Sequence, residues 1–249
     1  MSENNTVIKL DNVSKKFNVY SRNIDRIKGV LLNREPAEVK RALKNVSLEV
    51  EKGEHLVIFG IVDSGRSTLL KVISGITNPS KGKVSTYGTM NVMMDQKAGI
   101  DMEFSCRENI YMKANIVGLT RAEIAPFVEE ILEFAEAEKY ADLPMKRAPK
   151  GTVALISVGV HLYKNADLVI CDEVFAGGGN YISTKCENQL LKYLVDRPET
   201  TSVTVTSRLE FAKKIGTRFI VLEEGRIVYD GNVDEAWKTL MEINKNRRK

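Results

Sequence analysis

A segment in the first third of the chain has the residue types that bind phosphate groups. Residues 56–70 read LVIFGIVDSGRSTLL, with two glycines five positions apart and hydroxyl residues opening a predicted helix. Backbone N–H groups converge at a helix N-terminus, where the helix dipole favours anions. A hydroxyl at Ser67 can also ligate magnesium, which bridges two phosphates. The segment therefore predicts a nucleotide-phosphate cradle formed by Gly60, Asp63, Ser64, Gly65, Arg66, Ser67 and Thr68.

Two residues of this cradle depart from what a triphosphate site usually contains. The usual pattern is G-x-x-x-x-G-K-[ST], and Arg66 stands at its lysine position. The planar guanidinium is bulkier and more directional than an ammonium group. Asp63 adds a carboxylate that repels a triphosphate and could pair with Arg66. We therefore expect nucleotide binding to tolerate these changes better than catalysis, and the alternative is a strand–turn–helix corner that binds nothing.

The elements around the cradle alternate between short β-branched runs and longer amphipathic ones. Predicted strands are residues 6–13, 46–50, 56–59, 83–87, 90–94, 168–171, 202–205, 219–222 and 227–229. Predicted helices are residues 21–32, 66–74, 107–117, 121–138, 152–163, 183–194 and 209–215, with a last one from Val233. This alternation predicts an α/β fold with a mostly parallel sheet. We expect a single domain with its core in residues 1–95 and 164–249, an N-terminal antiparallel β subdomain, and a helical insertion over residues 100–163.

The composition is that of an ordinary globular protein. The 249 residues are 43% apolar and 28% charged, and Lys+Arg exceed Asp+Glu by 37 − 33 = 4. The three cysteines have no metal-ligand spacing, which favours a reducing compartment without structural zinc. The N-terminus lacks a secretory pattern, and the longest apolar runs are too short to span a bilayer. We expect a cytosolic chain without a nucleic-acid partner, which reaches a membrane only through another protein.

Further motifs follow one another in an order that carries a family resemblance. They are ALKNVSLEVEKGE at 42–54, STLLKVISGI at 67–76, RENI at 107–110, LVICDEV at 168–174 and GRIV at 225–228. With the phosphate loop, they resemble the ATP-binding subunits of ATP-binding-cassette (ABC) transporters, most closely those that export capsular polysaccharide, O-antigen or teichoic acid. The resemblance runs from residue 8 to about residue 237 and implies a phosphate-loop ATPase core of the ABC type.

The resemblance also implies cofactors and roles for the acidic residues. It implies ATP and Mg²⁺ bound between two cassettes. These cassettes are either two copies of this chain, or this chain and a sister subunit. Asp172 would hold magnesium through water, and Glu173 would polarise the attacking water. Asp95, in the glutamine-loop region, is a further candidate magnesium ligand. The alternative for Asp172 and Glu173 is a solvated acidic pair at a strand end.

Several positions depart from the machinery that this family uses for hydrolysis. The segment that matches the signature loop reads RAPKGT at 147–152, so that only Gly151 is retained for nucleotide binding and Lys150 replaces a serine. Arg208 stands at the catalytic position of the switch histidine, and the aspartate loop reads AGGG at 176–179. Since one lost transition-state contact typically costs about 2.7 to 4 kcal/mol, we expect weak or absent ATP hydrolysis.

The remaining predictions concern the adenine, the membrane and the partner. An aromatic side chain after the first strand, Phe17 or Tyr20, would stack on adenine, and the alternative is an ordinary core aromatic. The resemblance implies a membrane-spanning permease subunit docked near residues 95–107, and a peripheral location on the cytoplasmic face of the cell membrane. The basic segment 22–41 could face anionic lipid or the phosphates of a polyprenyl-linked substrate near the membrane, or form a solvated helix face. The alternative function is a non-catalytic pseudo-ATPase that regulates or scaffolds a partner.

Overall fold

A computed structural model describes residues 5–19, 38–173 and 179–247. Its strands are β1 (Thr6–Val19), β2 (Glu38–Glu51), β3 (His55–Gly60), β4 (Lys81–Thr86), β5 (Met90–Met93), β6 (Leu168–Asp172), β7 (Thr201–Val205), β8 (Arg218–Glu223) and β9 (Arg226–Gly231). Its α-helices are α1 (Arg66–Ile73), α2 (Cys106–Val117), α3 (Arg121–Ile124), α4 (Val128–Phe134), α5 (Thr152–Leu162), α6 (Gly179–Val195), α7 (Leu209–Ile215) and α8 (Val233–Arg247). The chain divides into two compact units, one of Met1–Lys52, Leu56–Tyr87 and Thr217–Lys249, the other of Gly53–His55 and Gly88–Gly216.

The first unit contains a three-stranded antiparallel sheet in the order β2-β1-β4. One face of β1 and β2 is apolar and buried, as alternating side chains such as Ile8 and Leu10 show. Both strands are longer than predicted, because β1 continues to Val19 and pairs with residues from Glu38 onward. The lysine-rich stretch that ends β1 has no apolar alternation, so only its pairing with β2 reveals it as a strand.

The first unit also holds the strand that leads into the phosphate loop. Strand β3 is buried on both faces and pairs in parallel with β8, which pairs antiparallel with β9. Phe59 stacks on Phe219 with ring centroids 6.1 Å apart and meets Trp237 of α8 edge-on at 5.5 Å. A strand buried on both faces needs an uninterrupted apolar run, which is what residues 56–59 provide.

The second unit is built on the parallel strands β5, β6 and β7, side by side in that order. Helix α5 packs against α2 and α4, and most of its residues are buried. Each of these strands begins and ends within one residue of its prediction, and the starts of β5 and β6 and the end of β7 match it. Within the described ranges, no helix is both long and apolar enough to cross a membrane.

One predicted helix is wrong. The pattern over residues 121–138 predicts a continuous helix, but the structure has the short helix α3, a 3₁₀ turn at Ala125–Phe127, and then α4 ending at Phe134. Pro126 interrupts the α-helical hydrogen bonding because it has no N–H group to donate. The predicted helix over residues 21–32 lies outside the described residues.

Candidate functional site

The phosphate loop has the backbone geometry that its sequence predicts. Strand β3 ends at Gly60 and helix α1 begins at Arg66, after Gly65 in a left-handed conformation with φ +107°. No side chain of the described residues caps α1, and its first turn has no acidic residue. The N–H groups that open the helix are therefore not occupied by a side-chain cap, which is the arrangement that suits an anion.

Two other backbone segments hold this loop in place. The N–H of Gly225, in the turn between β8 and β9, donates to the carbonyl of Ser64 at 2.8 Å, and the N–H of Lys44 donates to the carbonyl of Gly225 at 2.8 Å. A Cβ atom on Gly65 would lie 2.5 Å from the carbonyl oxygen of Ala42, and a Cβ on Gly225 would lie 2.6 Å from the same atom. The three segments approach so closely that only glycine fits at Gly65 and Gly225.

A buried hydroxyl of the loop has no partner within the described residues. The side chain of Ser64 is 1% exposed, and its Oγ makes no hydrogen bond there. A Cβ on Gly60 would lie 2.5 Å from this Oγ, so the absence of a side chain at Gly60 leaves room for the Ser64 side chain. An unsatisfied buried hydroxyl costs about 1 to 3 kcal/mol. A bound phosphate oxygen would satisfy it, and in this respect the loop fits a nucleotide.

The loop forms one wall of a cleft of about 260 Å³ in the first unit. The other lining residues are Phe17, Lys40, Ala42 and Ile61. Phe17 is 40% exposed, so it is not an ordinary buried core aromatic, and Lys15 Nζ lies 5.0 Å from the centre of its ring. The structure thus brings Phe17 into one cleft with Asp63, Ser64, Gly65, Arg66, Ser67 and Thr68. Tyr20, the other candidate, lies outside the described residues.

Asp63 has a partner that the sequence analysis did not identify. Lys40 Nζ lies 2.7 Å from Asp63 Oδ1, and both side chains are exposed. The hydrogen bond and charge of Lys40 lower the pKa of the Asp63 carboxyl, and Arg247 adds a smaller effect. Asp63 also has a positive φ of 64°, which aspartate tolerates better than most residues. Lys40 is 23 residues away along the chain, so no local pattern could have indicated the pair.

The predicted acidic and switch residues meet at one edge of the second unit. Asp172 is the last residue of β6, and the N–H of Glu173 donates to the carbonyl of Val205 in β7 at 3.1 Å. Asp95 follows β5 by two residues, and Arg208 follows β7 by three. Because these strands are parallel neighbours, their carboxyl ends lie at the same edge of the sheet. Glu173 also has a positive φ of 39°, an unusual backbone conformation that is frequent at functional sites.

The Asp95 segment is held by a buried lysine that the sequence analysis missed. Lys113 in α2 is 2% exposed, and its Nζ donates to the carbonyls of Asp95 at 3.0 Å and Ala98 at 3.1 Å. Burial lowers the pKa of Lys113 to about 8, and the charge of Asp95 partly offsets that effect. The Asp95 carboxylate accepts a hydrogen bond from the N–H of Lys97 at 2.9 Å. The lysine therefore fixes the backbone on which Asp95 sits.

The described residues contain no cluster of three or more His, Cys, Asp or Glu side chains that could hold a metal ion. Magnesium commonly keeps several waters and takes only one or two protein carboxylates together with substrate phosphates. Ser67 in the first unit, and Asp95 and Asp172 in the second, each supply an oxygen donor of the kind that Mg²⁺ prefers.

Arg208 lies against helix α6. Its Nε is 3.2 Å from Glu187 Oε1, although the two atoms are not aligned for a hydrogen bond, and one terminal nitrogen lies 3.4 Å from Thr184 Oγ1. Glu187 is 6% exposed, and its burial raises the pKa of its carboxyl while Arg208 and Lys214 lower it. The side chain at the switch position is therefore held by a buried carboxylate.

The segment that matches the signature loop precedes helix α5. Gly151 has φ +101°, and no described side chain caps the helix that begins after it. A Cβ on Gly151 would lie 2.8 Å from the side chain of Ile182, which requires glycine here. Lys150 and Pro149 are exposed. Of the predicted AGGG loop only Gly179, the first residue of α6, is described.

Curated relatives match almost the whole of this chain. The teichoic acids export ATP-binding protein TagH of Bacillus cereus is 29% identical over 93% of this chain, which spans 42% of that protein's length. TagH of Staphylococcus epidermidis is 28% identical over 92% of this chain and 86% of its own length. The O-antigen export ATP-binding protein RfbB of Klebsiella pneumoniae is 28% identical over 94% of this chain and 98% of its own. These relatives confirm the resemblance to the polysaccharide-exporter subfamily.

Solved structures of ATP-binding cassettes share the fold. The dimeric cassette MJ0796 with bound ADP and Pi has a TM-score of 0.71 at 22% identity, over 91% of this chain and 98% of that one. The cassette MJ1267 has a TM-score of 0.70 at 20% identity, over 96% of this chain and 98% of that one. Both confirm the predicted α/β fold with its antiparallel β subdomain and helices. The ABC transporter family model matches residues 43–176, more than half of the chain. This chain therefore belongs to the ABC transporter family.

Proposed function

We propose that this chain is the ATP-binding subunit of an exporter for polysaccharide or teichoic acid, with weak or absent ATP hydrolysis. The cleft that combines an exposed aromatic ring with an uncapped helix N-terminus and an unsatisfied buried hydroxyl carries this proposal. The names of the relatives that match 92 to 94% of this chain support the class of cargo. An exporter needs nucleotide binding to drive its cycle, and the cleft offers contacts for both the base and the phosphates.

Several of the predicted residues would hold Mg²⁺-ATP. The N–H groups of residues 65–68 and the Arg66 guanidinium hold phosphate oxygens, and the Phe17 ring stacks on the adenine. Ser67 of the first unit is a candidate magnesium ligand, and Asp172 and Asp95 are candidate ligands of the second unit. Bound magnesium would supply charge neutralisation on the phosphates, and Glu173 would orient the attacking water. Gly151 completes the site of the opposing cassette, either a second copy or a sister subunit.

Three cationic substitutions support weak hydrolysis. Arg66 has a planar guanidinium at the position where ATP hydrolysis in this family uses the compact ammonium of a lysine. Lys150 stands at the signature position in place of a serine, so the serine hydroxyl is missing. Arg208 replaces an imidazole, and its guanidinium lies against Glu187. Removing one preorganised contact typically slows catalysis by about 10² to 10³. Losses within one catalytic unit are not additive, but together they leave little turnover.

An exposed apolar patch supports a membrane-spanning permease as the partner. Met102 is 45% exposed, Phe104 is 44% exposed and Leu143 is 38% exposed. The backbone brings these residues close together, because Met145 N–H donates to the carbonyl of Phe104 at 2.8 Å. Apolar side chains grouped at a surface suit burial by a partner. The patch includes part of residues 95–107, the predicted docking segment, and permease docking would place the chain on the cytoplasmic face of the membrane.

The ion pair between Arg208 and Glu187 favours the second candidate function. This function is that of a non-catalytic pseudo-ATPase that regulates or scaffolds a partner. In that case the ion pair with Glu187 would hold the switch position in a fixed state and stabilise α6. The two candidates differ in their response to nucleotide: the transporter subunit binds Mg-ATP tightly and cycles with it, whereas a pure scaffold has no need of a nucleotide.

Mg-ATP is expected to stabilise the isolated chain against heat. At about 100 times its dissociation constant, a ligand adds about 2.7 kcal/mol, which raises the Tm of a chain of this size by roughly 5 to 10 °C. Differential scanning fluorimetry measures this shift, with Mg-AMP as the matched ligand that lacks the β and γ phosphates. If Mg-ATP does not change the Tm, the scaffold function is the one supported. Phosphate release of about 1 per second from the isolated chain would contradict weak hydrolysis.

Asp63→Asn is expected to tighten Mg-ATP binding by about threefold at low salt, because it removes a carboxylate from an anion cleft and releases Lys40 toward the phosphates. Asp196→Asn in the second unit is the matched control, since it changes the net charge equally on an exposed side chain. Isothermal titration compares the two variants. Equal affinities of both variants would mean that Asp63 does not oppose the triphosphate.

A further inference from the structure

A second pocket in the first unit, of about 400 Å³, is larger than the nucleotide cleft. It lies on the antiparallel sheet, between β1, β2, the start of β4 and the start of β9. Six of its lining side chains are cationic: Lys15, Lys16, Arg41, Lys44, Lys81 and Arg226. None of its lining residues is acidic. The whole chain has 37 basic and 33 acidic residues, so a pocket with six bases and no acid is a strong local excess of positive charge.

The floor of this pocket is held by polar contacts between the strands. Ser14 Oγ donates to Asn45 Oδ1 at 2.9 Å and accepts from the N–H of Asn45 at 2.9 Å. Ser80 Oγ accepts from the N–H of Lys16 at 3.1 Å, and the N–H of Ser80 donates to the carbonyl of Ser14 at 2.7 Å. Leu43 is 1% exposed and forms the apolar part of the floor. The cationic side chains therefore project from a backbone that is fixed by hydrogen bonds.

Few of these cations are neutralised within the described residues. Lys44 Nζ lies 3.6 Å from Glu224 Oε2, and Lys15 Nζ donates to the carbonyl of Asn78 at 2.7 Å. Lys16, Arg41, Lys81 and Arg226 have no ion pair with a described carboxylate. Like charges gathered around one concave surface raise the local positive potential, and an anion that enters relieves their repulsion.

We propose that this pocket binds a ligand with two or more linked phosphate groups. Arginine and lysine together suit phosphate oxygens, arginine through its two-pronged donor geometry and lysine as a point charge. The volume exceeds what a single phosphate needs and falls in the range of ligand pockets, about 300 to 1,000 Å³. The lining contains no aromatic ring, so it offers no surface for base stacking. The chemistry is therefore that of an oligophosphate or of a phosphorylated lipid headgroup.

This site adjoins the nucleotide cleft but has its own lining, since Lys15 Nζ lies 5.0 Å from the centre of the Phe17 ring. The two pockets share no lining residue, and their chemistry differs. The nucleotide cleft has an aromatic ring, a helix N-terminus and the carboxylate of Asp63, whereas the second pocket has side-chain cations on a sheet. The proposal holds whether or not the phosphate loop binds ATP.

Isothermal titration with inorganic triphosphate tests the proposal on the full chain. The triple variant Arg41→Gln, Lys81→Gln, Arg226→Gln is expected to weaken triphosphate binding by about tenfold or more. The matched control Lys139→Gln, Lys192→Gln, Lys245→Gln removes the same charge from exposed positions elsewhere and is expected to change affinity by less than about threefold. The single variant Arg41→Glu, at an exposed residue, repeats the test if the triple variant does not fold.

Sedimentation with vesicles separates the two sources of phosphate. Vesicles that contain diacylglycerol pyrophosphate, a lipid with two linked phosphates, are compared with vesicles of phosphatidylcholine alone, for the parent chain, the pocket variant and the control variant. Triphosphate binding without retention on the pyrophosphate lipid supports a free oligophosphate, and retention that the pocket variant loses supports a lipid headgroup. The proposal is overturned if the parent chain binds neither probe, if the pocket and control variants weaken binding equally, or if triphosphate affinity is unchanged by the pocket variants.

Discussion

Gly65→Ala is expected to lower the free energy of unfolding by about 3 kcal/mol and to abolish the response of Tm to Mg-ATP. Gly65 has φ +107°, a conformation that a residue with a Cβ rarely adopts, and its Cβ would lie 2.5 Å from the backbone oxygen of Ala42. Strand β2 cannot move away easily, because it pairs with β1 along most of its length. The strain must therefore displace the phosphate loop, and Tm is expected to fall by roughly 6 to 12 °C.

Gly75→Ala is the matched control for this prediction. Gly75 also has a positive φ, of 72°, but a Cβ there would meet no heavy atom within 4 Å. This variant carries only the conformational penalty, about 1 to 2 kcal/mol, and should keep the response to Mg-ATP. Thermal melts with and without nucleotide compare the two variants. Equal losses of stability, or a Gly65→Ala variant that still responds to Mg-ATP, would contradict a role for the close approach to Ala42.

The parts of the fold that the sequence predicts best are those whose pattern is local. Strands β3 and β6 are buried on both faces and appear as continuous apolar runs, and the helix over residues 209–215 is confirmed with both of its ends. The phosphate loop is predicted for a similar reason, since its glycines and hydroxyls occur within one short segment. Local patterns fail where a single residue breaks the period, as Pro126 does in the helix predicted over residues 121–138.

The contacts that tune the candidate site depend on residues far apart in the chain. Asp63 pairs with Lys40, and the phosphate loop approaches Ala42 and accepts a hydrogen bond from Gly225. These contacts arise from strand pairing in the first unit, and the spacing of residues along the sequence does not predict that pairing. The motif around Gly225 is visible in the sequence, but its contact with the loop is not. The sequence therefore identifies which residues carry the chemistry, and the fold determines which charges surround them.

Restoring the three cationic positions is expected to raise ATP hydrolysis by about 10² or more over the parent chain. The variant carries Arg66→Lys, Lys150→Ser and Arg208→His, which return a compact ammonium, a hydroxyl and an imidazole to the site. It also carries Glu187→Gln, because Arg208→His would leave the buried Glu187 carboxylate without its guanidinium partner. Phosphate release is measured at saturating Mg-ATP, after thermal melts have shown that the variant folds.

The same variant with Glu173→Gln added separates restored catalysis from restored binding. Glu173 follows the last residue of β6, and its carboxylate is the proposed partner of the attacking water. The added change should remove the gain in phosphate release and leave the stabilisation by Mg-ATP in place. If the restored variant hydrolyses no faster than the parent chain although it binds Mg-ATP, the three cations do not limit turnover. The limit would then lie in the second cassette or the membrane partner, which the isolated chain lacks.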